Sequence, residues 1–302
     1  MTFKDVADVH EKLQQADYIT SQEIATVIFL AGVTGKPILV EGPAGVGKTE
    51  LAKAVAKALG LELIRLQCYE GLDESKALYE WEYAKQLLYT QMVKEKIGDV
   101  IAGAVSLSDA VDRIASQEDA FFSERFIQPR PLLQAISSEN RTVLLIDEVD
   151  KSDPEFEAFL LELLSDFQVS IPEIGTKKAR NIPFVVLTSN NYRDMSDALK
   201  RRCIHIYIDY PERELEMRIV KLKIPGITDR LAGTVVDAVR NIRDLDLKKR
   251  PCISETLDWA RSLIALQVED LTSEVLVSTL NMLCKYKADT EMVKVNVASI
   301  VH

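Results

Sequence analysis

Short apolar runs alternate with amphipathic segments through the first two thirds of the chain. Short apolar runs between polar residues are typical of buried strands, and apolar residues at helical spacing are typical of helices that cover them. The strands are predicted at residues 38–40, 63–67, 143–146, 184–187 and 204–208. The helices are predicted at residues 3–16, 21–34, 50–59 and 154–167. This alternation predicts an α/β fold, with a five-stranded parallel sheet flanked by helices.

The last third of the chain has a helical pattern throughout. After Tyr210-Pro211, helices are predicted at residues 213–222, 229–240, 254–266, 273–285 and 289–302, with breaks at Pro225-Gly226 and Pro251. Ser254 is a favourable N-cap for the third of these helices. The pattern therefore predicts two domains, a core at residues 1–210 and an all-helical lid at residues 211–302.

The core is predicted to carry two additions. Residues 68–142 separate the second and third strands, which is more chain than one crossover needs. The first part, about residues 68–103, is rich in aromatic residues and is predicted to be an insertion with small strands and a helix of its own. Its aromatics either grip a protein substrate or pack the insertion onto the core. Residues 168–182 contain Pro172 and Gly175, which favours a hairpin before the fourth strand.

The segment after the first strand has the GxxxxGK[ST] spacing of a phosphate-binding loop. It consists of Gly42, Pro43, Ala44, Gly45, Val46, Gly47, Lys48 and Thr49, and Glu50 continues into the helix. Glycines let the amides of residues 45–47 point inward, and the positive end of the helix adds to the attraction for a polyphosphate. Lys48 is expected to reach the β- and γ-phosphates of ATP, and the Thr49 hydroxyl to hold Mg²⁺.

Polar side chains end two of the predicted strands. Asp147 and Glu148 follow the third strand, and Thr188-Ser189-Asn190-Asn191 follows the fourth. Ligands bind at the carboxyl ends of strands in doubly wound sheets. We expect Asp147 to enter the Mg²⁺ shell and Glu148 to orient and deprotonate the attacking water. Asn190 is preferred over Asn191 for a hydrogen bond to the γ-phosphate or the water, and a turn role stays open for either.

Two further residue pairs are candidates for the nucleotide site. Tyr18 and Ile19, just upstream of the loop, either line an adenine pocket or only pack the N-terminal helices together. Arg201 and Arg202 precede the fifth strand. They are either solvated charges or a finger that enters the nucleotide site of a neighbouring subunit and stabilises charge in the transition state.

Charge is distributed unevenly along the chain. The net charge is −10; residues 1–210 hold 23 Lys+Arg against 33 Asp+Glu, and residues 211–302 hold 14 against 14. Repulsion from the acidic core makes nucleic acid an unlikely partner, although the basic run 248–250 keeps local binding open. No apolar run has the length of a membrane span and the polar start does not resemble a signal peptide, so a cytoplasmic protein is expected. The four cysteines are far apart and have no CxxC spacing, which favours reduced, buried thiols over a metal site or a disulfide framework.

The order of these features resembles an AAA+ ATPase: a phosphate loop, an acidic strand end, a polar fourth-strand end, paired arginines and a helical lid. The insertion after the second strand and the hairpin before the fourth resemble the MoxR-type branch. The stretches 66–73, 79–81, 130–136, 166–173 and 253–260 are similar to the CoxD-like subgroup, which is associated with maturation of carbon monoxide dehydrogenase and related molybdenum hydroxylases.

The resemblance implies a role for each motif residue. Lys48 and Thr49 correspond to Walker A, Asp147 and Glu148 to Walker B, Asn190 to sensor 1, and Arg201 or Arg202 to the finger that acts on the neighbouring subunit. It also implies a homo-oligomeric ring, usually hexameric, that works with a von Willebrand factor A domain protein. Glu255 stands where the family's sensor 2 arginine is expected. Either Arg250 or Arg261 replaces that arginine, or the lid senses the nucleotide differently.

Three functions are compatible with the sequence. The first is a chaperone-like, Mg²⁺-dependent ATPase that remodels a protein or metalloenzyme client. The second is an AAA+ nucleic-acid motor or loader, including a GTP-using restriction type, which the acidic core disfavours. The third is a non-catalytic module held in one shape by its nucleotide, which the full set of motif residues disfavours.

Overall fold

The computed structural model describes residues 2–92, 105–106, 124–172 and 174–301. The strands in chain order are β1 (Ile38–Glu41), β2 (Glu62–Gln67), β3 (Tyr79–Trp81), β4 (Ile127–Pro129), β5 (Thr142–Asp147), β6 (Gln168–Ile171), β7 (Gly175–Lys178), β8 (Phe184–Ser189) and β9 (Ile204–Tyr207). The helices of the core are α1 (Val6–Gln15), α2 (Gln22–Thr34), α3 (Lys48–Leu59), α4 (Glu74–Leu78), α5 (Tyr83–Met92), α6 (Pro131–Ser137), α7 (Pro154–Asp166) and α8 (Asp197–Arg202). Those of the C-terminal part are α9 (Arg213–Lys223), α10 (Asp229–Arg243), α11 (Ile253–Ala265), α12 (Ser273–Thr279), α13 (Lys287–Val295) and α14 (Val297–Ile300).

The five predicted core strands form one parallel sheet in the order β2-β5-β8-β1-β9. Strand β1 pairs Glu41 with Ser189 of the central strand β8, and β2 pairs Gln67 with Asp147 of β5. This register places the carboxyl ends of the strands at one edge of the sheet. The α/β fold predicted from the sequence is confirmed, and the polar strand ends lie where ligands bind in such sheets.

Both faces of the sheet are covered, because successive side chains of a strand point to opposite sides. Val143 and Leu145 of β5 pack into a cluster with α1, α2 and α3. Leu144 and Ile146 pack into a second cluster with α6 and α7. All four side chains are fully buried, so β5 is fixed between two layers of helices. Its register in turn determines where the carboxylates that follow it are placed.

The insertion after β2 contains α4, β3 and α5 in the predicted region. The short strand β3 pairs antiparallel with β4, so that Tyr79 lies opposite Pro129. The small sheet therefore extends past the predicted boundary at residue 103, because a three-residue strand such as β4 carries too little periodicity to be recognised. The rings of Trp81 and Tyr89 pack at 6.3 Å and 5.6 Å from that of Phe126. The rest of the predicted insertion, residues 93–103, lies outside the described residues.

The predicted hairpin before the fourth core strand is present. Strands β6 and β7 pair antiparallel, with Gln168 opposite Lys178 and Ile171 opposite Gly175. Phe167, in the left-handed conformation, ends α7 and turns the chain into β6. Val169 and Ile171 are buried in the cluster that Leu144 and Ile146 form with α6 and α7, whereas β7 is largely exposed. The buried side of the hairpin is thus provided by β6, and Lys177 of β7 forms an ion pair with Glu124.

Helices α9–α14 form the C-terminal part around their own core, in which Trp259 is fully buried. Two predicted helices are divided: α12 ends at Thr279 before a 3₁₀ turn, Leu280–Met282, and α13 is separated from α14 at Asn296. A buried ion pair connects α9 and α10, with both guanidinium arms of Arg243 donating to Glu216 at 2.7 Å. Across the described ranges, no helix is long and apolar enough to cross a membrane.

Candidate nucleotide site

The loop between β1 and α3 depends on glycines at three positions. Gly42, Gly45 and Gly47 have φ angles of 146°, 73° and 98°, which residues with side chains rarely adopt. A Cβ on Gly42 would lie 1.9 Å from the carbonyl oxygen of Ile208. No described side chain caps the start of α3, so its first backbone N–H groups can donate to an anion.

Two cavities meet at this loop. We name the first, of ≈ 260 Å³, the phosphate cavity; it contains the predicted residues Ala44, Lys48, Thr49, Glu50, Asp147, Glu148 and Asn190. We name the second, of ≈ 250 Å³, the base cavity; it contains Tyr18, Ile19 and Val46. Gly45, Gly47 and Glu50 line both cavities. The two cavities therefore lie next to each other at the loop, as a nucleotide with a base and a phosphate chain requires.

The ammonium of Lys48 is surrounded by acceptors. It donates to the carbonyls of Gly42 and Pro43 at 2.7 Å and 2.6 Å, and to Oδ1 of Asn190 at 2.7 Å. Burial lowers the pKa of Lys48 to about 8, although the nearby carboxylates of Asp150, Asp147 and Glu148 act in the opposite direction. The structure thus brings the predicted phosphate-binding lysine and the predicted sensor asparagine into direct contact.

Thr49 and Asp147 form the predicted metal-binding pair. The Thr49 hydroxyl donates to Oδ1 and Oδ2 of Asp147 at 3.0 Å and 3.2 Å, and Thr188 donates to Oδ1 at 2.6 Å. A hydroxyl beside a buried carboxylate is the kind of hard oxygen donor set that Mg²⁺ prefers. In the part of the chain that the structure describes, no group of three His, Cys, Asp or Glu side chains could hold a metal. These residues fit Mg²⁺ that takes its other ligands from phosphate and water.

Glu148 is held at the cavity by three side chains. Its carboxylate accepts from Asn190 at 3.1 Å, from Gln67 at 2.9 Å and from Lys151 at 2.6 Å. The backbone of Glu148 is left-handed, with φ of 57°, and its N–H donates to Thr188 Oγ1. A non-glycine residue in this region is often part of a functional site. Sequence reasoning identified Glu148 but missed Gln67.

Asn190 and Asn191 have different positions and contacts in the structure. Asn190 bridges Lys48 and Glu148, whereas the exposed Asn191 turns the chain with φ of 58°. The turn is fixed by Asp150, whose Oδ2 accepts the backbone N–H groups of Asn190 and Tyr192 at 2.9 Å and 2.8 Å. Asp150 is 1% exposed. The sequence analysis assigned no role to Asp150, although a third carboxylate three positions after Asp147 could have indicated one.

The base cavity is mainly apolar and lies between the core and the C-terminal helices. Tyr18 and Ile19 line it together with Pro211, Leu215 and Leu257. Burial, with a contribution from Glu50, raises the pKa of the Tyr18 hydroxyl far above its ordinary value. Apolar walls with few polar groups suit the faces of a planar base. The structure therefore brings Tyr18 and Ile19 to this cavity, and Tyr18 also packs against the cluster formed by the N-terminal helices.

The lid approaches the phosphate loop through residues that were not predicted for this role. A Cβ on Gly45 would lie 2.3 Å from Sγ of Cys252, and Ser254 lines both cavities. Cys252, rather than the predicted Ser254, is the N-cap of α11. Glu255 accepts the N–H of Cys252 at 2.9 Å and an N–H of Lys249 at 3.0 Å. Glu255 thus fixes the start of α11 through this capping box.

The two candidates for sensor 2 do not line either cavity. Arg261 is paired with Asp258 on the exposed face of α11, at 2.9 Å. Arg250 is exposed just before that helix. From α11, Ile253, Ser254 and Leu257 line the base cavity and Ser254 lines the phosphate cavity. In this structure neither arginine reaches the nucleotide site, and the two alternatives for sensor 2 stay predictions.

Arg201 and Arg202 lie at the end of α8, outside both cavities of their own chain. The Arg202 guanidinium donates to Ser165 Oγ at 2.7 Å and to the carbonyl of Ala198 at 3.1 Å. Arg201 is exposed and forms no hydrogen bond or ion pair with the described residues. The position of both arginines is compatible with either a solvated charge or a finger. The two side chains differ in that Arg202 is hydrogen-bonded within its own chain, whereas Arg201 extends into solvent.

Residues 38–210 match the model of the ATPase family associated with various cellular activities (AAA). This range covers more than half of the chain and contains the phosphate loop, Asp147-Glu148, Asn190 and both arginines. The chain belongs to this AAA ATPase family. The prediction of an AAA+ ATPase is therefore confirmed at the level of the family.

Similar proteins include chaperones and a gas vesicle protein. Chaperone protein ClpB of Corynebacterium glutamicum is 28% identical over 206 residues, which are 64% of this chain and 20% of ClpB. Gas vesicle ATPase GvpN of Haloferax mediterranei is 24% identical over 260 residues, 81% of this chain and 68% of GvpN. The RuvB Holliday junction branch migration motor of Thermotoga maritima is 16% identical, with a TM-score of 0.47 over 90% of this chain and 68% of RuvB.

Proposed function

We propose that this protein is a Mg²⁺-dependent ATPase. The observation that supports the proposal is the convergence of five side chains on the phosphate cavity: Lys48, Thr49, Asp147, Glu148 and Asn190. They come from the loop after β1 and from the ends of β5 and β8, up to 142 positions apart. Their combination provides a phosphate-binding cation, a metal-binding pair, a base and a polar positioning group in one place.

Each of these residues has a part in hydrolysis. Lys48 and the first amides of α3 bind the phosphate chain and hold it in line for attack. Glu148 takes the proton of the attacking water, and Asn190 orients the carboxylate through the hydrogen bond at 3.1 Å. Thr49 and Asp147 would hold Mg²⁺, which when bound withdraws charge from the phosphate oxygens. The base cavity orients the nucleotide through Tyr18 and Ile19.

The Glu148→Gln variant tests this proposal. Glutamine keeps the shape of the side chain and cannot accept a proton, so ATP turnover should fall by about 10²- to 10⁴-fold. Binding of Mg·ATP, measured by titration with a fluorescent analogue, should stay unchanged. Glu155→Gln on the exposed start of α7 is the matched control and should hydrolyse ATP like the wild type. Turnover by Glu148→Gln at the wild-type rate would remove Glu148 from its assigned role.

The finer assignment rests on resemblance and on relatives. We propose a MoxR-type, CoxD-like protein that forms a homo-oligomeric ring, usually hexameric, and remodels a protein client such as a molybdenum hydroxylase together with a von Willebrand factor A domain protein. Two relatives are named as a chaperone, ClpB, and as a gas vesicle ATPase, GvpN, and both names are compatible with work on protein assemblies. The acidic core disfavours the nucleic-acid motor, the alternative function.

Ring formation and the client are tested separately. The Glu148→Gln variant with ATP should give a species of about six subunits by mass photometry, and a monomer under these conditions would contradict the ring. An ATP-loaded ring should bind purified apo-carbon monoxide dehydrogenase more tightly than an ADP-loaded one. Equal binding in the two states would contradict the remodelling role. Binding of DNA that falls steeply with salt would favour the alternative.

A further inference from the structure

Arg65 of the edge strand β2 contacts Asp147, one of the two residues of the candidate metal-binding pair Thr49 and Asp147. Its Nε and Nη2 donate to Oδ2 of Asp147 at 3.0 Å and 2.6 Å, and Nη2 also donates to Gln67 at 2.5 Å. Arg65 and Gln67 are two positions apart, so both point to the same face of the strand. That face turns toward the phosphate cavity, which Arg65 lines beside Lys48.

The hydrogen bonds of Asp147 show why this contact has consequences. Oδ1 accepts from Thr49 and Thr188, at 3.0 Å and 2.6 Å. Oδ2 accepts both donors of Arg65 and the longer bond from Thr49, at 3.2 Å. A metal ion or water ligand that uses Oδ2 of Asp147 must therefore share that oxygen with the guanidinium of Arg65. The Asp147 side chain is 2% exposed and that of Arg65 47%, so only the arginine is free to move toward solvent.

We propose that Arg65 is a positioning residue that neutralises Asp147 and competes with Mg²⁺ for it, so that the nucleotide can bind without the metal. The inference rests on the proposed nucleotide site. A buried carboxylate at the phosphate cavity repels a polyphosphate unless a cation lies beside it. Arg65 supplies that cation when the metal does not, and the metal supplies it when Arg65 turns away. The proposal assigns no contact between Arg65 and the reacting atoms.

The proposed competition between Arg65 and Mg²⁺ for Asp147 predicts how nucleotide affinity depends on the metal. Removing Arg65 takes away the cation that is hydrogen-bonded to Asp147, so binding of ADP in EDTA should weaken. In the presence of Mg²⁺ the same variant loses a competitor for Oδ2, so binding of Mg·ADP should be equal or tighter. The ratio of the dissociation constants in EDTA and in Mg²⁺ should therefore increase. A general disturbance of the site would weaken both equally and leave the ratio unchanged.

The experiment compares Arg65→Met and Arg65→Lys with the wild type by titration of a fluorescent ADP analogue in EDTA and in excess Mg²⁺. We expect the ratio for Arg65→Met to rise by about tenfold, the scale of one charge-assisted contact. Lysine keeps the charge but not the planar fork, so the ratio for Arg65→Lys should lie in between. Circular dichroism and thermal unfolding establish that each variant is folded.

Arg213→Met is the matched control. Arg213 forms a similar fork on Asp237, and its side chain is 45% exposed, but it lines neither cavity. Its ratio should equal that of the wild type. A ratio for Arg65→Met within twofold of the wild type, about the scatter of such titrations, would overturn the inference while leaving the proposed function intact. Absence of nucleotide binding by the wild type would overturn both.

Discussion

The ammonium of Lys48 and the side-chain oxygen of Asn190 lie 2.7 Å apart, although 142 positions separate them in the chain. The contact exists because β1 and β8 are neighbours in the sheet, with Glu41 paired to Ser189. Lys48 follows β1 after the phosphate loop, and Asn190 follows β8 directly. The other arm of Asn190 holds Glu148 at 3.1 Å. A single amide thus connects the group expected to bind phosphate with the group expected to activate water.

Replacement of Asn190 by alanine should affect turnover more than binding. The amide orients Glu148, and loss of one positioned polar group at a reacting centre typically costs about 100-fold in rate. Lys48 keeps two backbone acceptors in Gly42 and Pro43, so the affinity for ADP should change by only about threefold. Steady-state ATPase kinetics and a nucleotide titration measure the two effects.

The control for Asn190→Ala is Asn191→Gly, because glycine adopts the φ of 58° at that position without strain. This variant should retain wild-type kinetics. A large loss of ADP affinity in Asn190→Ala, with turnover at saturation preserved, would contradict the positioning role. That result would instead assign Asn190 to binding of the ground state.

The Gly45→Ala variant should separate the lid from the phosphate loop. An added Cβ would meet Sγ and Cβ of Cys252 at 2.3 Å and 2.6 Å, and α11 cannot yield without moving the lid. We expect nucleotide affinity to fall by about tenfold or more, because Ser254 and the apolar wall of the base cavity move with α11. A titration with a fluorescent ADP analogue measures this loss.

The backbone strain of Gly45→Ala has a matched control in Gly35→Ala. Gly35 has a similar φ of 68°, and nothing lies within 4 Å of an added Cβ. Both variants carry about 1 kcal/mol of left-handed strain, but only Gly45→Ala meets the lid. The double variant Gly45→Ala with Cys252→Gly should regain part of the affinity. No recovery in the double variant would show that strain in the loop, rather than the lid contact, causes the loss.

The predictable part of the site is the part that the chain encodes locally. Residues 42–49 were identified because the glycines, Lys48 and Thr49 act within one turn and must keep a fixed spacing. Asp147-Glu148 and Asn190 were identified because each directly follows an apolar strand. The rule that ligands bind at the carboxyl ends of parallel strands then predicted that they would meet.

Apart from Asp150, the missed residues act through contacts that no local pattern shows. Arg65 and Gln67 occupy alternate positions of β2, which the sequence presents as the polar face of a half-buried strand. Only the pairing of β2 with β5 turns that face toward Asp147 and Glu148. Cys252 reaches Gly45 across the boundary between the core and the lid, a contact set by the packing of two separate cores. Their side-chain types alone carried no signal.

Glu157 should stabilise the protein in a pH-dependent way. Its carboxylate, on a residue 3% exposed, accepts from Arg193 and from the N–H of Ser196, both at 2.8 Å. Burial alone would raise its pKa, but the hydrogen bonds from Ser196 and Arg193 outweigh burial, and the pKa is lowered from the ordinary 4.5. The stabilisation is fully present above pH 4.5, the ordinary pKa, and is lost as the pH falls through the lowered pKa of the folded state.

The Glu157→Gln variant should therefore be less stable than the wild type at neutral pH, by about 1–3 kcal/mol in the free energy of unfolding. The difference should narrow as the pH is lowered below 4.5, because only the wild type loses a charged acceptor. Urea unfolding at several pH values measures both effects. Glu162→Gln on the exposed side of α7 is the control. A difference that is constant with pH would show that the contribution of Glu157 does not depend on its charge.

The hydrogen bonds of Glu157 also help to position α8, the helix that carries the two candidate finger arginines. Glu157 fixes Ser196, the N-cap of α8, and α8 ends with Arg201 and Arg202. Arg202 is bound within its own subunit to Ser165 and Ala198, whereas Arg201 is exposed and has no polar partner among the described residues. If α8 faces the site of a neighbouring subunit, Arg201 is the side chain that can enter it. We expect Arg201→Ala to lower turnover by about 10³-fold or more, and Arg202→Ala to have a smaller effect.

Mixing two inactive variants tests whether the arginine acts on a neighbouring subunit. Arg201→Ala and Glu148→Gln should each be inactive alone. In a mixed ring, Glu148 from one variant meets Arg201 from the other at about a quarter of the interfaces, so ATPase activity should reappear to about that extent. A finger that acted within its own chain would give no recovery, because no subunit would hold both residues. Recovery with Arg202→Ala in place of Arg201→Ala, and none with Arg201→Ala, would assign the finger to Arg202 instead.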